Sequence, residues 1–382
     1  MHVLYLIDSL STGGAERSLA ELAPGYTARG IRLDVAYFHE RPGVHDDLAR
    51  AGAGLFHLGG SGRVARTRRT LRLLRQRRPD LLHTTLFEAD VAGRVASGFA
   101  RVPVVSSLVN LAYGPEQLTD PSLRPWRVDA ARRLDALTAR RVVRFHAITE
   151  SVADVMTERL HLRRERVEVI PRGRDPEVLG RRTVERRAEA RARLEVPEDA
   201  PLVFAAARQE FQKGLDVLVD AFPTVLAGVP GARLVVAGRE GALTQRLRET
   251  VTRLGLEPTV RFLGARTDVL DLMCGADVFA FPSRWEGLGV AVLEAMALEA
   301  PIVASDLPAV REVVGADGER ALLVPPDRPA VLADALLRTL ADPVAAAARA
   351  SAARERFLEA FTLDRVADAT VSFYDRALSG RR

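Results

Sequence analysis

Short β-branched runs alternate with longer amphipathic stretches along nearly the whole chain, and they do so in two series. That rhythm constrains the fold more than any other feature, because strands alternating with helices pair in parallel and bury both faces. The first series places strands at 2–7, 31–37, 54–58, 80–84, 103–107, 143–147 and 167–170. Helices include 14–29, 63–77, 88–99 and 150–160. The second series places strands at 201–207, 232–237, 259–263, 277–281, 301–304 and 321–324. Its helices include 214–228, 241–254, 267–274, 289–298 and 329–341, and helices near 343–358 and 362–378 close the chain. Between the two series runs a polar, arginine-rich segment from Arg172 to about Ala200, broken by Gly173, Pro176 and Gly180 and carrying a charged helix over 184–194. Such a segment marks a domain boundary. The expected class is α/β, with two Rossmann-like doubly wound domains facing a cleft. Ligands of such sheets bind at the carboxyl ends of the strands.

Composition narrows the function classes. The 382 residues suit two domains. The single cysteine, Cys274, excludes an internal disulfide and a cysteine-built metal site. The start, Met1 to Asp8, reaches an acid too early for a signal peptide. No apolar run approaches the roughly 20 residues of a membrane span. The expectation is a cytoplasmic setting. Lysine plus arginine number 55 against 50 acids, and all but Lys213 of these bases are arginine. The sequence pI near 9.9 invites a nucleic-acid reading. Arginine spread through the chain among nearly as many acids forms no patch, so no nucleic-acid partner is expected. Residues 1–180 hold 28 arginines and 21 acids, which puts the positive excess in the first series.

Three connections carry candidate chemistry. Gly13-Gly14 opens a helix directly after the first strand, where exposed amides and a positive dipole end suit a phosphate. The spacing is neither G-x-G-x-x-G nor a Walker loop, which removes the main support for dinucleotide and NTPase readings. In the second series, Arg208 ends a strand and Lys213-Gly214 begins a helix. Two cations there can grip a diphosphate and offset charge on a departing one; the plain alternative is a surface pair of Lys213 with Glu210. The third connection runs from Phe281-Pro282-Ser283 through Glu286, Gly287, Leu288 and Gly289 into an apolar helix holding Glu294. A carboxylate among Val292, Leu293, Ala295 and Met296 is costly unless paired or bound to hydroxyls.

Two carboxylates with seven residues between them, Glu286 and Glu294, followed by Ala295-Met296-Ala297, resemble the E-x7-E motif of retaining glycosyltransferases of family four, which have GT-B architecture. Gly13-Gly14-Ala15-Glu16-Arg17 is similar to that family's opening loop. Arg208 with Lys213-Gly214 is similar to its R-x4-K-G clamp. Ile170-Pro171-Arg172-Gly173-Arg174-Asp175 resembles its I-P-N-G-V-D segment. The resemblance covers essentially the whole chain. It implies an acceptor-side domain over 1–172, with a last helix, about 362–382, packing back on it, and a donor-side domain over 173–361. It implies a nucleotide diphosphate sugar as donor, a hydroxyl acceptor, and no metal or other cofactor. Arg208 and Lys213 would hold the diphosphate, Glu294 the ribose hydroxyls, and Glu286 the transferred sugar. Gly287, Leu288 and Gly289 would present amides to phosphate or sugar. The backbone at Gly264, Ala265 and Arg266 would meet the base, and the Gly13-Gly14 loop would lie close to the diphosphate.

The chain departs from the pattern at Val109, where the family often has a histidine near the donor sugar; Asn110 follows it. It departs again in the family's preceding His-x-His segment, which holds a companion histidine and appears here as His83-Thr84-Thr85. Val109 suits a sugar lacking a hydroxyl at that spot. Arg63, Arg66, Arg68, Arg69, Arg72, Arg75, Arg77 and Arg78 crowd one helix, with Val64, Leu71 and Leu74 expected on its apolar side. That helix is a candidate peripheral contact with the inner face of an anionic membrane. A second basic group, Arg124, Trp126, Arg127, Arg132 and Arg133, follows a long loop from Asn110 to Pro125. Two other functions stay open from sequence: a sugar-nucleotide epimerase of similar architecture, and a degenerate nucleotide-sugar-binding partner subunit.

Overall fold

The computed structural model describes residues 1–115, 118 and 124–379. Of the expected loop from Asn110 to Pro125, positions 116, 117 and 119–123 lie outside the described residues, as do 380–382, which the expected closing helix of about 362–382 included. The chain forms two compact units, one of Met1–Gly173 with the segment from Leu363 onward, the other Arg174–Thr362.

The first unit holds a seven-stranded sheet of β1 (His2–Ser9), β2 (Arg32–His39), β3 (Gly54–His57), β4 (Leu81–Thr85), β5 (Val104–Leu108), β6 (Arg144–Ala147) and β7 (Val167–Val169). Every pairing is parallel, in the order β3-β2-β1-β4-β5-β6-β7. The second unit holds β8 (Leu202–Ala206), β9 (Arg233–Ala237), β10 (Val260–Gly264), β11 (Val278–Phe281), β12 (Ile302–Ser305) and β13 (Leu322–Val324). These are also all parallel, in the order β10-β9-β8-β11-β12-β13. Both are doubly wound sheets of the expected α/β class, with a topological switch point beside the first strand of each. Central strands such as β5 and β12 are buried at every position, as helices on both faces require.

The helix Leu363–Ser379 belongs to the first unit. It buries Val366, Ala367, Thr370, Phe373, Tyr374 and Ala377, one face at helical spacing. Arg29, at the end of the helix Gly14–Ala28, donates to Asp368 at 2.6 Å.

Four helices go beyond the expected elements: His45–Arg50, Pro125–Ala139, Pro176–Leu179 and Pro308–Val314. Three of them begin on a proline, a residue that breaks a helix interior but suits its first position. The expectation for Val64 also needs correction: it is 67% exposed. The buried side of the helix Gly62–Arg77 consists of Thr70, Leu73 and Leu74. Val64 precedes Leu74 by ten positions, which at 3.6 residues per turn rotates it about 80° off the buried face.

Candidate functional site

In the second unit β8 and β11 are hydrogen-bonded neighbours, although the loops that follow them are 73 positions apart at Lys213 and Glu286. Parallel pairing therefore brings the ends of both strands to one edge, at the switch point. After β8 the chain exposes Arg208, turns through Phe211–Lys213 and enters the helix Leu215–Gly228. After β11 it runs through Pro282 to Gly289 and enters the helix Val290–Ala297. Lys213 Nζ lies 2.5 Å from Glu286 Oε1, and the two side chains are 17% and 8% exposed. The partner of Lys213 is thus Glu286 and not Glu210, whose carboxylate turns toward Gly241 and Ala242. The ammonium also sits 5.9 Å from the centre of the Phe281 ring.

Backbone geometry holds the two loops together. Gly214 has φ +60°, and a Cβ there would lie 2.0 Å from the Pro282 carbonyl oxygen. Arg284 N donates to Gln212 O at 2.8 Å, and Gln212 Nε2 donates to Trp285 O at 2.9 Å. The Arg284 guanidinium grips Asp216 through two bonds of 2.9 Å and stacks 3.9 Å from the centre of the Phe211 ring. Sequence reasoning missed Arg284. Its partners Phe211 and Asp216 are distant in sequence, and an arginine in this chain carries no compositional signal.

Glu294 is paired too. Its Oε1 accepts from Arg174 Nε at 3.0 Å. Gly289 precedes the helix with φ +88°, Leu288 is buried, and Gly287 is half-buried. At the end of β10, Gly264 has φ +69° and its carbonyl accepts from Gly238 N at 2.8 Å. Ala265 and Arg266 are exposed, and the Arg266 guanidinium is held by both oxygens of Asp268 at 2.8 and 2.7 Å. Seven of the expected donor positions, Arg208, Lys213, Glu286, Gly287, Leu288, Gly289 and Glu294, therefore gather on the two loops at the switch point and the helix that follows, while Gly264 to Arg266 stand two strands away, at the end of β10.

In the first unit Gly13 and Gly14 do open the helix Gly14–Ala28. The phosphate reading meets a competitor there. The Glu16 carboxylate folds back over Gly13 and accepts from Ser9 and Ser11 hydroxyls at 3.3 and 3.2 Å. Arg172 donates to the Gly14 carbonyl and brings a cation to the same turn. Asp8, at the end of β1, accepts from Ala89 N at 2.7 Å, and burial pushes its pKa up to about 7. Val109 and Asn110 follow β5 and line a cavity of about 300 Å³ with Leu86, Tyr113 and Met156. Beneath it Arg94, fully buried, is paired with Asp90 and Asp135, and Tyr113 donates to Asp135 at 2.7 Å. His83 is buried and hydrogen-bonded to Tyr374 Oη and Ser107 Oγ, each at 2.7 Å. Burial, then His146 beside it, holds its pKa well below the ordinary imidazole value.

The basic helix is only partly free. Arg66 pairs with Glu88, Arg69 donates to the Leu58 carbonyl, and Arg77 forks onto Asp34 at 2.8 and 3.2 Å. Arg68, Arg72, Arg75 and Arg78 are exposed. Arg63, also exposed, stacks 5.6 Å from the Phe87 ring centre. Among the described residues no helix is long and apolar enough to cross a membrane. No cluster of three or more histidines, cysteines or acids among them is placed to hold a metal.

Residues 12–178 match the family model of Glycosyltransferase Family 4, and residues 200–342 match that of Glycosyl transferases group 1. The chain is 30% identical over 323 residues to a D-inositol 3-phosphate glycosyltransferase of Streptomyces bingchenggensis, covering 79% of this chain and 68% of that protein. It is 31% identical over 194 residues to the lipopolysaccharide core biosynthesis mannosyltransferase LpsB of Rhizobium meliloti. That match spans 50% of this chain and 55% of LpsB, about half of each. Among solved structures, Anabaena Alr3699/HepE in complex with UDP superposes with a TM-score of 0.85 at 24% identity, covering 98% of this chain and 100% of the other.

Proposed function

We propose, for a chain that belongs to the group 1, family 4 glycosyltransferases, that it moves a sugar from a nucleoside diphosphate donor to an acceptor hydroxyl with retention of configuration. The meeting of Lys213 and Glu286 at the switch point supports this most. A cation and a carboxylate in contact, with Arg208 exposed on the same loop as Lys213, match what a sugar diphosphate presents: anionic phosphates joined to a ring of hydroxyls. In this reading Arg208 and Lys213 hold the diphosphate, and Glu286 takes hydroxyls of the sugar. Amides at Gly287, Leu288 and Gly289 assist, Glu294 accepts from the ribose, and the backbone from Gly264 to Arg266 faces the base. Gly13, Gly14, Val109 and Asn110 lie at strand ends of the first unit, which in this reading is the acceptor side.

The bond from the anomeric carbon to the diphosphate oxygen breaks as the acceptor oxygen attacks on the same face. The acceptor proton passes to the departing diphosphate. Lys213 and Arg208 stabilise the charge that develops there, so the protein contributes positioning and electrostatics and no nucleophile is assigned.

The experiment is a thermal-shift screen with UDP, GDP, ADP and dTDP, followed by turnover with the donor sugar of the base that binds. One base at about 100 times its Kd should stabilise by about 2.7 kcal/mol, a rise of roughly 5 °C. No shift with any of the four overturns the donor reading. Donor consumption without acceptor would identify an epimerase. Binding without nucleotide release across donors and acceptors would identify a binding subunit.

We also propose peripheral contact with the inner face of an anionic membrane through the free arginines of the helix Gly62–Arg77. The exposed face of Val64, Arg68, Arg72 and Arg75 supports it. Each cation near an anionic surface contributes about 1 kcal/mol. Replacing Arg68, Arg72 and Arg75 together by glutamate should abolish sedimentation with phosphatidylglycerol vesicles while leaving phosphatidylcholine controls unchanged. Undiminished sedimentation overturns it.

A further inference from the structure

The residue that faces Glu294 is one the family pattern does not supply. In Ile170-Pro171-Arg172-Gly173-Arg174-Asp175 the arginine at 174 stands where the resembled family has valine. Arg174 is 4% exposed, so it is not one more solvated arginine of an arginine-rich chain. Its backbone is fixed on both sides. Arg174 N donates to Phe361 O at 2.9 Å, and Arg174 forms a parallel bridge with Thr362. The next residue, Asp175, caps the short helix Pro176–Leu179 by accepting from Glu177 N at 2.8 Å. From that anchored start the side chain reaches Glu294, with Nε 3.0 Å from Oε1 and side-chain exposures of 5% and 13%.

Glu294 needs such a partner. Val292, Leu293, Ala295 and Met296 around it in the helix are fully buried. An ionised carboxylate in that setting is costly without a cation. Arg354, which donates to the Ala297 carbonyl of the same helix, is paired with Glu299 at 3.2 Å, as is Arg181 at 2.7 Å. Arg174 Nε takes one lone pair of Oε1. The remaining lone pairs of the carboxylate are left for other donors.

We propose that Arg174 is a positioning residue for nucleotide recognition: it holds the Glu294 carboxylate aimed so that its open lone pairs accept both hydroxyls of a ribose cis-diol. This rests on Glu294 being the ribose acceptor of the proposed function. The consequence is selectivity for ribonucleotides over 2′-deoxynucleotides, carried by a pair and not by the glutamate alone. A site built to accept from a hydroxyl penalises the analogue that lacks it.

The test measures binding of UDP, GDP and ADP and of their 2′-deoxy counterparts by calorimetry, using the pair whose ribonucleotide binds wild-type protein most tightly. Wild type should favour the ribo form by about 30-fold, in the range of one or two charge-assisted hydrogen bonds. Arg174→Met should weaken the ribonucleotide about tenfold and reduce the ribo-to-deoxy ratio below about threefold. Donor KM should rise, while kcat at saturation stays within about threefold. Arg174→Lys restores a cation without the planar fork and should recover part of the ratio; it also carries the test if the methionine variant does not fold. Glu294→Gln should lose the ratio as fully as Arg174→Met.

A ratio within twofold of wild type in both Arg174 variants, with the ratio lost in Glu294→Gln, overturns the inference and leaves the ribose reading of Glu294 standing. A ratio kept in all three variants overturns that ribose reading as well. Failure of every ribonucleotide to bind wild type overturns the donor reading itself.

Discussion

Lys213→Ala is expected to lower kcat by about 10²–10³-fold, the usual cost of removing one preorganised group aimed at developing charge, with the fold retained. The lysine lies at the sheet edge, 17% exposed, and its hydrogen-bond partner is Glu286 rather than the core. Its loss therefore acts on the site more than on stability. It also leaves Glu286, 8% exposed, without its cation, so donor affinity should fall together with turnover. Lys213→Arg should rescue poorly, because a planar guanidinium cannot occupy the position of a compact ammonium. The measurements are kcat and KM for the donor identified by the nucleotide screen, with circular dichroism and thermal unfolding as the check on folding. Near wild-type turnover in Lys213→Ala would remove the diphosphate role.

The second large effect belongs to the residue beside it. Gly214→Ala should cost about 2–4 kcal/mol of stability, roughly 1–2 from a left-handed conformation and the rest from overpacking. It should also reduce turnover about as far as Lys213→Ala. The added Cβ would meet the Pro282 carbonyl at 2.0 Å, and a backbone oxygen cannot rotate away as a long side chain does. Relief requires the two loops to part. That motion would break the Arg284–Gln212 and Gln212–Trp285 bonds, and with them the Lys213–Glu286 contact. Gly231→Ala is the control: its φ is +91°, but nothing lies within 4 Å of the added atom. It should lose about 1–2 kcal/mol with turnover unchanged. Denaturant midpoints and turnover for both variants decide the matter, and a Gly214→Ala protein with wild-type values of both would show that the close approach is not needed.

Much of the fold was legible because it rests on short-range pattern. The strands and most helices fall within a few residues of their expected places, since β-branched runs and helical spacing of apolar residues report burial locally. Three of the unexpected helices, starting at Pro125, Pro176 and Pro308, begin on a residue that reads as a stop in sequence and acts as a start in structure. The motif positions were legible as well, but their partners were not. Glu210 and Asp216 are the nearest acids to Lys213 along the chain, each three positions away, yet strand pairing delivers Glu286 from 73 positions away. His83, in the segment that stands where the family has His-x-His, hydrogen-bonds Tyr374 of the last helix.

The sequence by itself determined the class of fold, the two series and the types of residue available at the strand ends, including the lone lysine among 55 bases. Those are properties of local burial and of composition. Only the tertiary structure decided which arginines are free. Arg66, Arg77, Arg94, Arg174 and Arg284 are consumed by buried or half-buried carboxylates, while Arg68, Arg72 and Arg75 stay in solvent. In a chain whose cations are nearly all one residue type, identity cannot separate these roles. The separation comes from which acid the fold brings within 3–4 Å in place of water, because an ion pair gains most where solvent screening is least.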